Sequence, residues 1–282
     1  MQFLYAETNS IKTNEVEVLF KMNSANIAHD VIKKYPGVRD ELVKTFLWNV
    51  EFKPKIILTN DRDAFRKIVG SDIVIAFAVP DKDLIVLDTS RIYTKPFTLE
   101  TTLKHELCHL LLHHNIEQKR LPRWLDEGIC QWASGGIAEL MTSDEGRTLA
   151  KASLSDSLID IQELERFPLD ERSLMLAYEE SRSFIEYIVS EFGSRKTLQI
   201  LEYLKQEDSI NESVSKSLSI NLFELEKKWQ AYLKRKHTWF FYLSNNLYTI
   251  IFFLAGILTI YGFLRLLKKK RAYVDDDNEN EE

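Results

Sequence analysis

Cysteine is scarce in this chain, with two in 282 residues. Two cysteines cannot make a disulfide framework, and they say little about redox compartment. Basic charge is not in excess: 37 Lys and Arg stand against 43 Asp and Glu, a net charge of −6. The basic residues are scattered, so no nucleic-acid partner is expected. No internal repeat is visible. Charge of either sign is missing altogether from Thr238 to Leu264. What remains is the composition of a folded globular protein, 45% hydrophobic, long enough for one sizeable domain or two small ones.

The densest chemistry lies in His105-Glu106-Leu107-Cys108-His109, which spells H-E-x-x-H. The segment 97–114 reads as a helix. Leu99, Leu103, Leu107, Leu110 and Leu111 give it an apolar stripe of helical period. Pro96 precedes it, Thr98 or Thr101 can act as N-cap, and Glu100 suits the helix dipole in the first turn. Residues four apart share a helical face, so His105 and His109 can point their imidazoles at one zinc ion. Glu106 is then placed to take a proton from a water that the metal polarises. The plainer reading is an amphipathic helix whose histidines fall at i, i+4 by chance, so the neighbouring segments must decide.

A third ligand is expected from Trp124-Leu125-Asp126-Glu127-Gly128, which opens a second helical stretch and puts Glu127 eighteen positions after His109. A carboxylate there completes a His2Glu site and leaves the fourth position open. Asp126 and Glu127 are both candidates. Glu127 is preferred because Gly128 follows it, and a missing side chain lets two helices approach closely. Trp124, Leu125, Ile129, Cys130 and Trp132 make the stretch too apolar for a surface helix. His113 extends the His105 and His109 face by a turn, with His114 beside it; a solvated helix end suits both better than a role at the metal. His29 and His237 have no evident partner. Cys108 and Cys130 lie on the two helices that converge on the metal and read as structural, buried thiols.

Residues 15–96 alternate strand and helix signals. Strands are expected over 15–20, 54–59, 73–79 and 84–88, and a helix over 25–48 interrupted near Pro36-Gly37. A short helix is expected over 61–69 and a turn over 80–83. From Leu121 to about Lys236 the signals are helical, clearest over 173–192, 194–206 and 222–234. The expected fold class is α+β. A small mixed β-sheet lobe with helices (about 15–120) is joined to a helical lobe (about 121–236), with the site in the cleft between them. Together they form one catalytic domain over 1–237.

With H-E-L-C-H followed by P-R-W-L-D-E-G-I-C-Q-W, the chain resembles the gluzincins, zinc metallopeptidases with two His and one Glu ligand. It is most similar to the small peptidase MA-like domains, relatives of the aminopeptidase N and leukotriene A4 hydrolase class. The likeness spans about residues 15–235, specific at the metal site and loose elsewhere. It implies one Zn2+ held by His105, His109 and Glu127, with Glu106 as general base. A further similarity, Ala177-Tyr178-Glu179-Glu180-Ser181 through Phe192-Gly193, implies that Tyr178 donates a hydrogen bond to the oxyanion. The implied substrate is a peptide or protein. One departure matters: aminopeptidases of this class carry a G-x-M-E-N strand whose Glu holds the free amine. The corresponding segment, 75–80 (IAFAVP), has no acid, so an endopeptidase is expected. That segment can still serve as an edge strand for an extended peptide. The competing expectation is a zinc-binding interaction or assembly protein without turnover, although a purely structural site gains nothing from Glu106.

The uncharged stretch leads to one more expectation. Residues 238–267 read as a C-terminal transmembrane helix with the lipid bilayer as partner, with Trp239, Tyr242, Tyr248 and Tyr261 toward its ends. Residues 268–282 read as a basic, then acidic, disordered tail. The larger basic cluster, Arg265 and Lys268 to Arg271, lies on the C-terminal side. It favours a cytoplasmic tail and an extracytoplasmic catalytic domain, which requires an export signal. Met1 to Ala6 is too short to be one, so a signal trimmed from the chain is expected, with a cytosol-facing tail anchor as the alternative.

Overall fold

The structure is a computed structural model that describes the backbone of residues 9–93, 98–136, 147–245 and 247–279. Pro96, Phe97 and Met1 to Ala6 lie outside these residues. The chain divides into two compact units, Met1–Ala231 and Tyr232–Glu282.

Short β-branched and aliphatic runs build a five-stranded sheet in the first unit. Its strands are β1 (Asn9–Lys12), β2 (Glu17–Phe20), β3 (Lys55–Thr59), β4 (Ala76–Val79) and β5 (Leu84–Asp88). The order is β1-β2-β3-β5-β4. The three inner strands are parallel, and β1 and β4 run antiparallel at the two edges. Parallel neighbours need crossover connections. Helix α1 (Ala25–Phe46) joins β2 to β3, and α2 (Arg62–Val69) follows β3. β1 is polar (NSIK) and gives no strand signal of its own; antiparallel pairing with β2 makes it a strand. Pairing partners outweigh intrinsic propensity at such an edge.

Both faces of the sheet are covered, which is why β3 and β5 read as continuous apolar runs. Leu19, Ile57, Leu84 and Val86 cluster with Phe65 of α2 on one face. By alternation Ile56, Leu58, Ile85 and Leu87 point to the other, where all are buried. Helix α1 is uninterrupted through Pro36, contrary to the break expected there. Ala28, Val31, Tyr35, Val38, Leu42 and Phe46 form a buried stripe at helical spacing. Packing along that stripe outweighs the single backbone hydrogen bond a proline removes.

Further helices of the first unit pack behind α1 and β4. α3 (Leu99–Asn115) is buried over nearly its whole surface from Leu103 to Leu112. α4 (Arg123–Ser134) packs against α3 on one side and α6 (Glu171–Phe192) on the other. α5 (Arg147–Leu154), α7 (Ser194–Lys205), α8 (Ile210–Leu218) and α9 (Leu222–Asn245) complete the helices before the C-terminal one. Trp124 of α4, Phe184 of α6 and Trp229 of α9 are joined ring to ring, with centroids 5.2 and 5.1 Å apart. Aromatic pairs at this spacing add to plain area burial.

Helix α10 (Leu247–Glu279) lies in the second unit. Among the described residues no helix is long and apolar enough to cross a membrane. This corrects the transmembrane helix expected over 238–267. The single-pass membrane placement falls with it in both of its expected orientations, and the bilayer partner is left without support. The side chains of Trp239, Tyr242 and Tyr248 lie outside the described residues.

Two features of the helical layer have measurable consequences. A Cβ on Gly128 would stand 2.5 Å from the Ser181 backbone oxygen and 2.6 Å from Ile185 Cγ1. Gly128→Ala is therefore expected to cost about 3 kcal/mol, the upper end for overpacking, read from urea unfolding. Separately, three buried carboxyl groups hold the first turn of α5 and the segment after it. Glu179 Oε2 accepts from Leu149 N–H (2.7 Å), Glu180 Oε1 from Ile159 N–H (3.1 Å) and Glu226 Oε1 from Ile161 N–H (2.9 Å). Burial, opposed by the Ile159 N–H and reinforced by Glu226, Glu179 and Asp160, pushes the Glu180 carboxyl up to about 8 from 4.5. The folded chain thus holds a proton that the unfolded chain releases. Stability from this group is complete below pH 4.5 and is lost as pH rises toward about 8. Glu180→Gln keeps an acceptor for Ile159. It is expected to flatten the pH dependence of the melting temperature between pH 5 and 8 and to raise the melting temperature at pH 8.

Candidate metal centre

Helix α3 begins where its sequence says it should. The Thr98 hydroxyl accepts from Thr101 N–H at 3.1 Å, and Glu100 sits in the first turn. From that start His105 and His109 fall one turn apart on the buried side, each less than a tenth exposed. Their Nε2 atoms are 3.1 Å apart, with the two rings nearly perpendicular. Glu127 of α4 brings Oε2 to 3.5 Å from each of them. Its other oxygen, Oε1, is held by Arg123 Nη2 at 2.5 Å, one turn earlier on α4. Glu106 is fully buried in the same turn of α3.

The three inward atoms form a triangle with sides of 3.1, 3.5 and 3.5 Å. Ligands on a tetrahedral zinc, with bonds of about 2.0–2.2 Å, stand about 3.4 Å from one another. Two nitrogens and one carboxylate oxygen at that spacing fit such an ion. A second group, His109, Asp126 and Cys130, has candidate ligand atoms within 4.8 Å of one another. It fits less well, because both Asp126 oxygens are engaged: Oδ1 is 2.7 Å from His109 Nδ1 and Oδ2 is 2.9 Å from His113 Nε2.

The electrostatics follow from burial and neighbours. Burial opposes a charge on His109, but Asp126 and Glu127 outweigh it and hold its pKa well above 6.5. Burial would raise Asp126, yet His109 and His113 hold it below the ordinary carboxylate range. Burial, then the contact with Cys108, keeps the Cys130 thiol protonated well above 9.0. Both thiols are free and buried.

The structure thus brings His105, His109, Glu127 and Glu106 together. Tyr178 lies on α6, one turn before the Ser181 carbonyl that faces Gly128, and is 4% exposed. Its ring meets Phe167 edge-on at 5.0 Å, and the Arg123 guanidinium lies 5.6 Å from the Phe167 ring. A chain of contacts therefore runs from Glu127 through Arg123 and Phe167 to Tyr178. Sequence reasoning missed Arg123, whose signal is the i, i+4 spacing to Glu127. His113, expected at a solvated end, is 13% exposed at its side chain and bound to Asp126. His114 stays 39% exposed, bonded to Asp83 and stacked on Phe52.

Metal binding here has a direct check. The chain is expected to take up one equivalent of zinc with a rise in melting temperature. His105→Ala and Glu127→Ala should each abolish the uptake, read by elemental analysis after gel filtration.

No curated protein matches the sequence. Among solved structures, a Legionella pneumophila aminopeptidase A in complex with aspartic acid is similar, at 13% identity and a TM-score of 0.45. The match covers 79% of this chain and 27% of that one, so the chain spans about a quarter of that protein's length. The sequence matches the Peptidase MA superfamily over residues 75–235, more than half of its length, from β4 through both site helices into α9. The chain therefore belongs to the Peptidase MA superfamily, as a gluzincin-like domain.

Proposed function

We propose that this protein is a zinc-dependent peptidase that hydrolyses internal peptide bonds, with Glu106 as general base. The observation that carries the reading is the triangle of His105 Nε2, His109 Nε2 and Glu127 Oε2, at 3.1–3.5 Å, beside a wholly buried Glu106. A structural metal would need the three ligands but not the carboxylate next to them. Zinc, when bound, supplies Lewis-acid polarisation and charge stabilisation.

Everything else falls to side chains. Glu106 accepts a proton from the attacking water and passes it to the leaving amine, which suits a carboxylate freed from bulk solvent. The Tyr178 hydroxyl donates to the oxyanion as charge builds on the carbonyl oxygen. Arg123 holds the outer oxygen of Glu127 and so leaves Oε2 alone facing the histidines.

The edge strand supports a peptide as substrate. Asp88 N–H donates to Ile75 O at 2.8 Å, and the register pairs Phe77 with Val86 and Val79 with Leu84. In an antiparallel ladder the hydrogen-bonded pairs alternate. Ile75, Phe77 and Val79 therefore face β5, and Ala76 and Ala78 turn their N–H and C=O groups to the open edge. An extended peptide can add there as a further strand. No acid lies on β4, which favours internal cleavage over capture of a free amine.

Glu106→Gln is expected to keep zinc while losing about 10²–10⁴ in turnover, measured by digesting a mixed peptide library and counting new termini by mass spectrometry. Tyr178→Phe should lose about 10²–10³, the scale of one oxyanion donor. Full activity in Glu106→Gln would sink the mechanism. Stoichiometric zinc with no cleavage of any peptide by the wild type would favour a binding or assembly role instead.

A further inference from the structure

We propose that His113 and Asp126 are positioning residues, a carboxylate-linked pair of imidazoles that fixes the ring of His109 toward the metal. The inference rests on the metal reading above and concerns what holds one ligand in place.

His105, His109 and His113 fall at i, i+4 and i+8 of α3, so one helical face presents three rings in a row. Glu127 of α4 meets the first two and Asp126 meets the last two. Asp126 is 4% exposed and bridges 2.7 Å to His109 Nδ1 and 2.9 Å to His113 Nε2. Carboxylate oxygens accept, so the two ring nitrogens that face them at 2.7 and 2.9 Å are the donors. That choice fixes the tautomer of His109. With Nδ1 protonated, the Nε2 lone pair is the one left for a metal, and Nε2 is the atom in the triangle.

His113 is the outer lock. Without its N–H, Oδ2 of a buried carboxylate would lose a charge-assisted hydrogen bond, which is among the stronger kinds. Asp126 could then turn about its own side chain, and the 2.7 Å bond to His109 would no longer be held at one angle. The spacing explains why two successive acids open α4. They point to opposite sides of the same ring, Glu127 Oε2 at its Nε2 and Asp126 Oδ1 at its Nδ1. A third imidazole is needed only if the second of those oxygens must not rotate.

The test uses the full chain, with zinc affinity read by competition with a chromophoric chelator. Asp126→Asn is expected to weaken zinc about 10–100-fold, the range for partners of a ligating histidine. His113→Leu is expected at about the low end of that range. His113→Gln, whose amide N–H can still donate to Oδ2, should return to within about threefold of the wild type on the same scale. Cobalt substitution adds a readout that mere loss of stability would not move. The ligand-field bands of Asp126→Asn and His113→Leu should shift, and those of His113→Gln should match the wild type. Unchanged zinc affinity and unchanged cobalt spectra in both Asp126→Asn and His113→Leu, with a wild type that binds zinc, would overturn the positioning role alone. A wild type that binds no zinc would overturn the metal reading and this inference together.

Discussion

The site depends on how closely α4 lies against α6. Gly128 has no side chain, and the Ser181 carbonyl and Ile185 occupy the space where one would be. That contact sets the depth of α4 in the helical layer. Glu127 and Asp126 precede Gly128 directly, so the same contact fixes how far their carboxylates reach toward α3. Oε2 of Glu127 arrives equidistant from two imidazole nitrogens, 3.5 Å from each. A shift of about half an ångström would spoil that triangle, because interiors close-packed to crystal density transmit displacement rather than absorb it. The geometry of the triangle is thus a consequence of backbone packing one layer away.

The second constraint is charge. His105, Glu106, Asp126 and Glu127 are all buried, and an isolated buried charge is among the costliest features a fold can carry. Each acid of α4 is compensated in its own way. Asp126 takes two imidazole N–H groups. Glu127 takes Arg123 on one oxygen and faces the histidines with the other. Glu106 adds a third buried carboxyl group beside the triangle, where a divalent cation would offset carboxylate charge. Its binding would also compete with the proton that Asp126 and Glu127 draw onto His109. Metal uptake at the triangle would therefore release that proton.

Much of this was legible in the sequence, and the gaps have physical causes. The Leu stripe and the Thr98 cap are local signals, and the start of α3 is where they put it, within two residues. The choice of Glu127 over Asp126 rested on Gly128, and the clash distances give that argument its geometry. Features set by distant partners were harder to read. β1 is polar and exists because β2 lies beside it. Pro36 reads as a break because the rule is local, whereas the buried stripe that carries α1 past it is tertiary. His113 looked like a solvated helix end because the sequence does not tell that Asp126 lies over it. The uncharged stretch from Thr238 measured the absence of charge, and among the described residues that absence does not amount to a spanning length.

H-E-x-x-H by itself specifies two ligands and a base, and it leaves the character of the site open. Two successive acids on α4 supply what it lacks, because they approach one imidazole from opposite ends. Glu127 shares the space at His109 Nε2, and Asp126 fixes the proton at Nδ1. Exchanging the order of the two would put the shorter aspartate at position 127, where its carboxylate stops one methylene short of Arg123 and of the triangle. The sequence D-E-G is therefore read in order: a residue that orients, a residue that completes the triangle, and a residue whose absence of a side chain lets both arrive.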